Sequence, residues 1–176
     1  MTLPKQYQWL NDMGQLPLMV QAALAEFGTI EAPGAANNAK ILGWAAETGL
    51  KAIYTADSIP WCGLFMAVIA KRAGKAFPTS PLWALSWSKF GVEAGQPRLG
   101  DVLTFTRKGG GHVGLYVGED QAAYHVLGGN QGDAVSFTRI AKERLHRVRR
   151  PAYRNMPKSA QPIVLAATGG LSRNEA

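Results

Sequence analysis

The sequence is poor in cysteine. Cys62 is the only cysteine among 176 residues, and only three histidines accompany it. One cysteine excludes a disulfide within the chain, and so few histidines make a Cys/His zinc site unexpected. We therefore expect no metal and no other cofactor. Cys62 is then either a reactive free thiol or an inert, buried small side chain.

Long apolar runs and a secretory signal are also missing. The first 28 residues lack a basic start, a continuous apolar core and a small-residue cleavage site. No apolar run approaches the roughly 20 residues that a membrane-spanning helix needs. We expect synthesis in the cytoplasm, no membrane insertion, and another export route for any target outside the cell.

Acidic residues are scarce relative to basic ones. The chain has 12 Asp and Glu residues and 19 Lys and Arg residues, which gives a net charge of +7. This charge favours anionic partners such as nucleic acid, acidic lipid or the anionic polymers of a bacterial envelope. The basic residues cluster between positions 139 and 154 without a helix-turn-helix or zinc-knuckle pattern, so nucleic acid is not the expected partner. A solvated basic face is the simpler interpretation of the cluster.

The order of predicted elements indicates an α+β domain. Helical periodicity covers Leu16–Phe27 and Ala39–Glu47, and a third helix follows Ser58 and Pro60 up to Gly74, before a short helix after Ser80. From residue 101 onward the pattern changes to about five short β-type runs, at 101–106, 112–118, 122–127, 134–140 and 143–150. Helices followed by strands, without alternation, are typical of α+β proteins. We assign residues 1–155 to one domain and residues 156–176 to a mobile or loosely docked tail.

Cys62 and His112 form a plausible nucleophile and base. Cys62 lies at the predicted start of an apolar helix, where the partial positive charge of the helix end favours a thiolate. His112 opens a predicted strand after the triple glycine Gly109–Gly111. An imidazole within hydrogen-bond reach of a thiol activates it for attack on a carbonyl.

Three segments resemble a known family in the same order. PWCGLF, RLGDVLTF and GHVGLYVG are similar to the successive blocks of the NlpC/P60 and CHAP cysteine peptidases, over about residues 28–151. Trp61-Cys62 and Gly128–Gln131 resemble the phage- and prophage-associated branch. The resemblance implies a papain-like fold with N-terminal helices packed on an antiparallel sheet of about five strands.

The same resemblance implies a function and its partners. It suggests a peptidoglycan hydrolase that cleaves an amide of the stem peptide, as an endopeptidase or an N-acetylmuramoyl-L-alanine amidase, and acts on the cell wall in the periplasm. Such a protein is either a phage endolysin released by a holin or an injected antibacterial effector, which would have a cognate immunity protein. A papain-like acyltransferase and a non-catalytic cell-wall-binding module are the alternatives.

Two residues are candidates for orienting His112. A base needs an acceptor on its second ring nitrogen, and resemblance to the closer branch favours Asn130, with His125 as the alternative. Trp61 and Gln131 are the candidate substrate-binding residues. The backbone N–H of Cys62 is the expected oxyanion donor because amides at a helix N-terminus are free of the helical ladder.

Overall fold

A computed structural model of the protein describes residues 2–173 and residue 175. Within these residues the chain forms helices first and an antiparallel sheet second, so the predicted α+β class is confirmed. The α-helices are α1 (Trp9–Asp12), α2 (Leu18–Leu24), α3 (Ala39–Thr48) and α4 (Cys62–Arg72), and short 3-10 helices cover Lys5–Tyr7, Ala84–Lys89 and Lys142–Arg144. The strands are β1 (Val92–Glu93), β2 (Val102–Arg107), β3 (Gly110–Glu119), β4 (Ala123–Gly128), β5 (Ser136–Ala141) and β6 (Leu145–Arg150). No helix in this part of the chain is both long and apolar enough to cross a membrane.

Helix boundaries differ from the sequence prediction where the chain must turn toward the sheet. α2 ends at Leu24 instead of Phe27 because the next residues form tight turns, in which the Phe27 N–H donates to Leu24 O. These turns bring the Gly28 N–H to Val135 O at 2.9 Å. α4 begins at Cys62 and excludes Pro60, which was expected in the first helical turn. The turns after α2 thus tie the helical half of the chain to the sheet.

The sheet contains six described strands in the order β1-β6-β2-β3-β4-β5, all antiparallel. Five of them match the predicted β-type runs. The additional strand, β1, is only two residues long and pairs Val92 with Arg150 and Glu93 with Arg149. Two exposed residues carry no detectable alternation, which explains why the sequence pattern missed this strand.

Both faces of the sheet are buried. Val113 and Leu115 of β3 pack in one hydrophobic cluster with α4, whereas Tyr116 packs in a second cluster with Phe105 and Val126. The sheet must curl, because a flat one would separate β5 from β6 by four strand spacings, about 19 Å. The chain from Ala141 to Leu145 spans at most about 14 Å. The second cluster therefore lies inside the curl, and α4 lies outside it.

Part of the segment 156–176 docks along β3. The Glu119 N–H donates to Ile163 O at 2.9 Å, and the Leu165 N–H donates to Glu119 O at 2.8 Å. A Cβ built on Gly118 would lie 2.5 Å from Leu165 Cδ1, so glycine permits this close approach. β2 pairs with β3 only as far as Leu115, and the docked residues pair with Glu119 beyond that point.

Several late basic residues hold buried carboxylates instead of forming only a solvated face. The ion pairs are Arg139–Asp120 at 2.8 Å, Arg144–Glu175 at 2.7 Å and Arg150–Asp101 at 2.7 Å. The three carboxylate side chains are 4%, 1% and 2% exposed, respectively. Asp101 also accepts from the Arg98 N–H at the entry to β2 and so helps to fix the start of that strand.

Candidate active site

Cys62 is the first residue of α4 and lies at the bottom of a pocket. Its side chain belongs to the α4 core cluster, and the residue is 4% exposed. The next residue, Gly63, touches the chain segment that covers this helix end, since a Cβ there would lie 2.3 Å from Pro81 O and 2.7 Å from Leu82 O. Glycine at position 63 therefore lets residues 81 and 82, which line the pocket, pack against the start of α4.

The resting form of Cys62 is a thiol. Burial raises its pKa above the ordinary value and outweighs the nearby backbone N–H groups of Val113 and Gly63, which lower it. The amides at the helix start lower the pKa of Cys62 as predicted, but desolvation is the stronger effect and the net shift is upward. Attack by Cys62 requires a base to remove the proton.

His112 is the third residue of β3. The Val113 N–H, which follows His112 in the chain, is close enough to the Cys62 sulfur to affect its pKa. The imidazole is fully buried, and its Nε2 is 3.0 Å from Gln131 Oε1. Its Nδ1 has no hydrogen-bond partner among the described residues.

The amide of Gln131 determines which nitrogen of His112 carries the proton. Gln131 Nε2 donates to Ser136 O at 2.5 Å and faces Val126 O at 3.3 Å, so Oε1 is the atom that faces the ring. An amide oxygen can only accept, and His112 Nε2 must therefore donate. In the neutral ring, Nδ1 then carries a lone pair and can accept a proton from Cys62 or a substrate.

Close contacts explain why the Gly-Gly-Asn-Gln segment has glycine at positions 128 and 129. A Cβ on Gly128 would lie 2.8 Å from Gln131 Oε1 and 3.4 Å from His112 Nε2, in the path of their hydrogen bond. A Cβ on Gly129 would lie 2.6 Å from Phe65 Cβ and 2.8 Å from Trp61 Cζ3. The first glycine thus leaves space for the His112–Gln131 pair, and the second lets the turn pack against the start of α4.

Asn130 does not contact the imidazole through a hydrogen bond. Its backbone has a φ of 56°, in the left-handed region that asparagine tolerates better than most residues, and its Oδ1 is buried without a partner among the described residues. The structure therefore brings Gln131, and not Asn130, to His112. Gln131 was expected to bind substrate, so its contact with the base is the main revision to the predicted site.

His125, the alternative orienting residue, belongs to a separate buried network. Its Nδ1 is 2.8 Å from Tyr7 Oη, and its Nε2 is 2.9 Å from Asp120 Oδ2. Asp120 also accepts from Arg139 Nε at 2.8 Å. Both ring nitrogens of His125 are thus occupied away from His112, and the network links the N-terminal segment to β4 and β5.

Trp61 is not placed to contact substrate directly. It is 0% exposed, packs near Trp44, and donates from Nε1 to Glu31 Oε2 at 3.0 Å. Trp83 is instead 67% exposed and lines the pocket. Trp61 was a candidate substrate-binding residue, but the structure directs its side chain into the core.

The pocket beside Cys62 has a volume of about 550 Å³. Its described walls are mainly apolar or small residues from positions 53, 59–60, 79–84 and 109–111, together with Arg107. Among the residues that the structure describes, no group of three or more His, Cys, Asp or Glu side chains is arranged to hold a metal ion. The pocket presents a thiol, one guanidinium and a mainly apolar surface.

Burial of His112 predicts that acid destabilises the protein. Burial lowers the pKa of His112 to about 4, although the bond to Gln131 opposes this shift. The unfolded chain, with a histidine pKa near 6.5, binds more protons than the folded one between pH 6.5 and 4. Protonation of His112 should not change the free energy of unfolding above pH 6.5. As the pH falls from 6.5 to 4, it should lower that free energy by about 3 kcal/mol. Urea denaturation at pH 7, 6, 5 and 4.5 measures the slope.

The matched control for this prediction is His112→Gln, which removes the titrating ring but keeps a polar side chain. His125 also has a pKa lowered by burial and contributes to the slope of both proteins equally. The free energy of unfolding should change more steeply with pH in the wild type than in the variant, by the equivalent of up to one bound proton. Equal slopes would show that His112 does not remain neutral in the folded state.

Comparison with protein-family models and with curated protein sequences finds no match for this chain. The functional assignment below therefore depends on the geometry of the site and on the sequence blocks described above.

Proposed function

We propose that the protein is a cysteine-nucleophile amide hydrolase in which Cys62 attacks, His112 acts as general base and Gln131 orients the base. The observation that carries this proposal is the state of the buried imidazole, whose Nε2 is held by Gln131 while Nδ1 has no partner among the described residues. A buried polar atom without a partner is unfavourable by about 1–3 kcal/mol, and such atoms are often found where chemistry uses them. The backbone N–H of Val113, the next residue in the chain, reaches the Cys62 sulfur, a thiol that needs deprotonation before it can attack.

The proton movements follow from the resting protonation states. His112 Nδ1 takes the thiol proton as Sγ attacks the carbonyl carbon, and the imidazolium that forms is stabilised by the Nε2–H bond to Gln131 Oε1. The Cys62 backbone N–H, at the start of α4, stabilises the oxyanion. His112 then protonates the leaving amine, and water releases the acyl group from Cys62 with His112 again acting as base.

The substrate assignment derives from the resemblance to NlpC/P60 and CHAP peptidases. We place the fold in the papain-like NlpC/P60 class and the substrate in peptidoglycan, where the enzyme would cut an amide of the stem peptide or the amide that joins it to the sugar. A net charge of +7 supports an anionic wall as target. The protein would act as an endolysin or as an antibacterial effector, and an effector would bind a cognate immunity protein.

The test is digestion of purified peptidoglycan by the wild-type protein, followed by mass spectrometry of the soluble products. We expect fragments with newly exposed amines and carboxylates, whose masses name the amide that is cut. A parallel reaction with added hydroxylamine should yield hydroxamates from the acyl-enzyme. Hydroxamates without hydrolysis products would indicate acyl transfer, and the absence of both would overturn the peptidoglycan assignment.

A further inference from the structure

Arg107 gives the pocket its only charge among the described residues that line it. Its Nε donates to Gly111 O at 3.3 Å, which ties the side chain to the triple-glycine turn. No carboxylate pairs with Arg107 among the described ion pairs, whereas Arg139, Arg144 and Arg150 each hold a buried acid. Arg107 is therefore a fixed guanidinium whose two Nη groups have no carboxylate partner in the described part of the chain.

Arg107 is also close to the reacting groups. Its positive charge lowers the pKa of Cys62 and of His112. The register explains this proximity, since Arg107 of β2 pairs with Gly110 and Phe105 pairs with His112. Arg107 and Cys62 line the same pocket, so an anion bound by Arg107 would share that pocket with the thiol.

We propose that Arg107 binds a free carboxylate of the substrate, so that the enzyme selects amides flanked by a carboxylate. This inference rests on the proposed hydrolase function and adds the chemical class that the site accepts. A guanidinium forms two parallel bonds to a carboxylate, which fixes both position and orientation. The apolar walls contributed by Ile53, Leu82 and Trp83 would contact small alkyl groups next to that carboxylate.

The test uses pairs of stem-peptide fragments that differ only in one carboxylate. An alanyl-γ-glutamyl-lysine peptide is prepared with the glutamate α-carboxylate free or amidated, and again with the C-terminal carboxylate free or amidated. Calorimetric binding is measured in the Cys62→Ala background, where no turnover occurs. The protein should bind one free carboxylate about 10- to 100-fold more tightly than its amide, in line with one charge-assisted pair.

Arg107→Gln should abolish that preference because it weakens binding of the free-carboxylate peptide alone. Arg107→Lys should retain part of the preference. Lys108→Gln is the matched control, because it removes the same charge from the adjacent exposed residue outside the pocket. The proposal would be overturned if Arg107→Gln weakened binding of the free and the amidated peptide equally in every pair. It would also be overturned if Lys108→Gln abolished the preference as Arg107→Gln does.

Turnover measurements separate this proposal from the hydrolase itself. For a substrate that is hydrolysed, Arg107→Gln should raise KM for the carboxylate form and leave kcat within a few-fold. A fall in kcat that is equal for both forms would assign Arg107 to stabilisation of the thiolate or oxyanion and would reject carboxylate binding. If no peptide is hydrolysed but the binding preference depends on Arg107, the catalytic proposal fails and the carboxylate site stands.

Discussion

Cys62→Ala should release no soluble fragments from peptidoglycan, with a rate at least about 10⁴-fold below wild type, as expected when a covalent nucleophile is removed. Cys62→Ser should be nearly as inactive, because a hydroxyl is far less acidic than a thiol and His112 is a weak base when buried. Both substitutions are close to isosteric at a residue that is 4% exposed, so the fold should survive. Fragment release by liquid chromatography and mass spectrometry measures the rate.

Thermal unfolding of both variants supplies the control for folding. A melting temperature within a few degrees of wild type, combined with lost activity, assigns the defect to chemistry. Activity retained by Cys62→Ala would eliminate the thiol mechanism, whatever the substrate. Wall binding retained without hydrolysis by the wild type would favour the non-catalytic binding module.

Gln131→Leu should lower kcat/KM by about 10²- to 10⁴-fold, because His112 loses the acceptor that fixes its tautomer and orientation. Leucine fills a similar volume but cannot accept from Nε2, and the Ser136 and Val126 carbonyls also lose their donor. Gln131→Glu should keep much more activity since a carboxylate still accepts from Nε2. It should also raise the pKa of His112 and move the acid limb of the pH–rate profile to higher pH.

Asn130→Gly is the decisive comparison for this prediction. Glycine accepts the left-handed backbone at position 130 without strain and removes the side chain that the sequence had favoured as the orienting group. We expect at most a few-fold loss of kcat/KM. A larger loss from Asn130→Gly than from Gln131→Leu would return the orienting role to Asn130.

The sequence predicted the elements that local patterns control. α3 is an example, since Asn38 accepts from the Lys40 N–H at its start and Gly49 takes a left-handed φ of 77° at its end. The start of α4 was harder to place because Pro60 and Ser58 imitate a helix start, while the backbone becomes helical only at Cys62. Sequence patterns placed Cys62 at a helix end in spite of this two-residue error.

The orienting residue could not be assigned from the sequence because it depends on a turn. Asn130 and Gln131 are adjacent and both carry amides, and only the backbone conformation decides which one faces His112. The left-handed φ at Asn130 redirects the chain, and Gly128 leaves the space through which Gln131 reaches the ring. The two glycines of the segment were the available signal, since side-chain-free positions mark close approaches.

The protonation state of the nucleophile was also beyond the sequence. Helix position predicts a lower thiol pKa, but burial raises it, and the extent of burial is set by the Pro81–Leu82 wall and by β3. Likewise, the pairing of Arg144 with Glu175 joins residues that are far apart in the chain. The pKa of Cys62 and the ion pair therefore depend on long-range packing, which local sequence patterns do not predict.

A buried, protonated thiol bears on the chemical durability of the protein. Peroxide and disulfides react with thiolates much faster than with thiols, so Cys62 should resist conversion to sulfenic acid and to mixed disulfides. Because the chain has no second cysteine, no internal disulfide can trap the nucleophile either. Cys62 should therefore be oxidised by peroxide more slowly than an exposed cysteine of ordinary pKa.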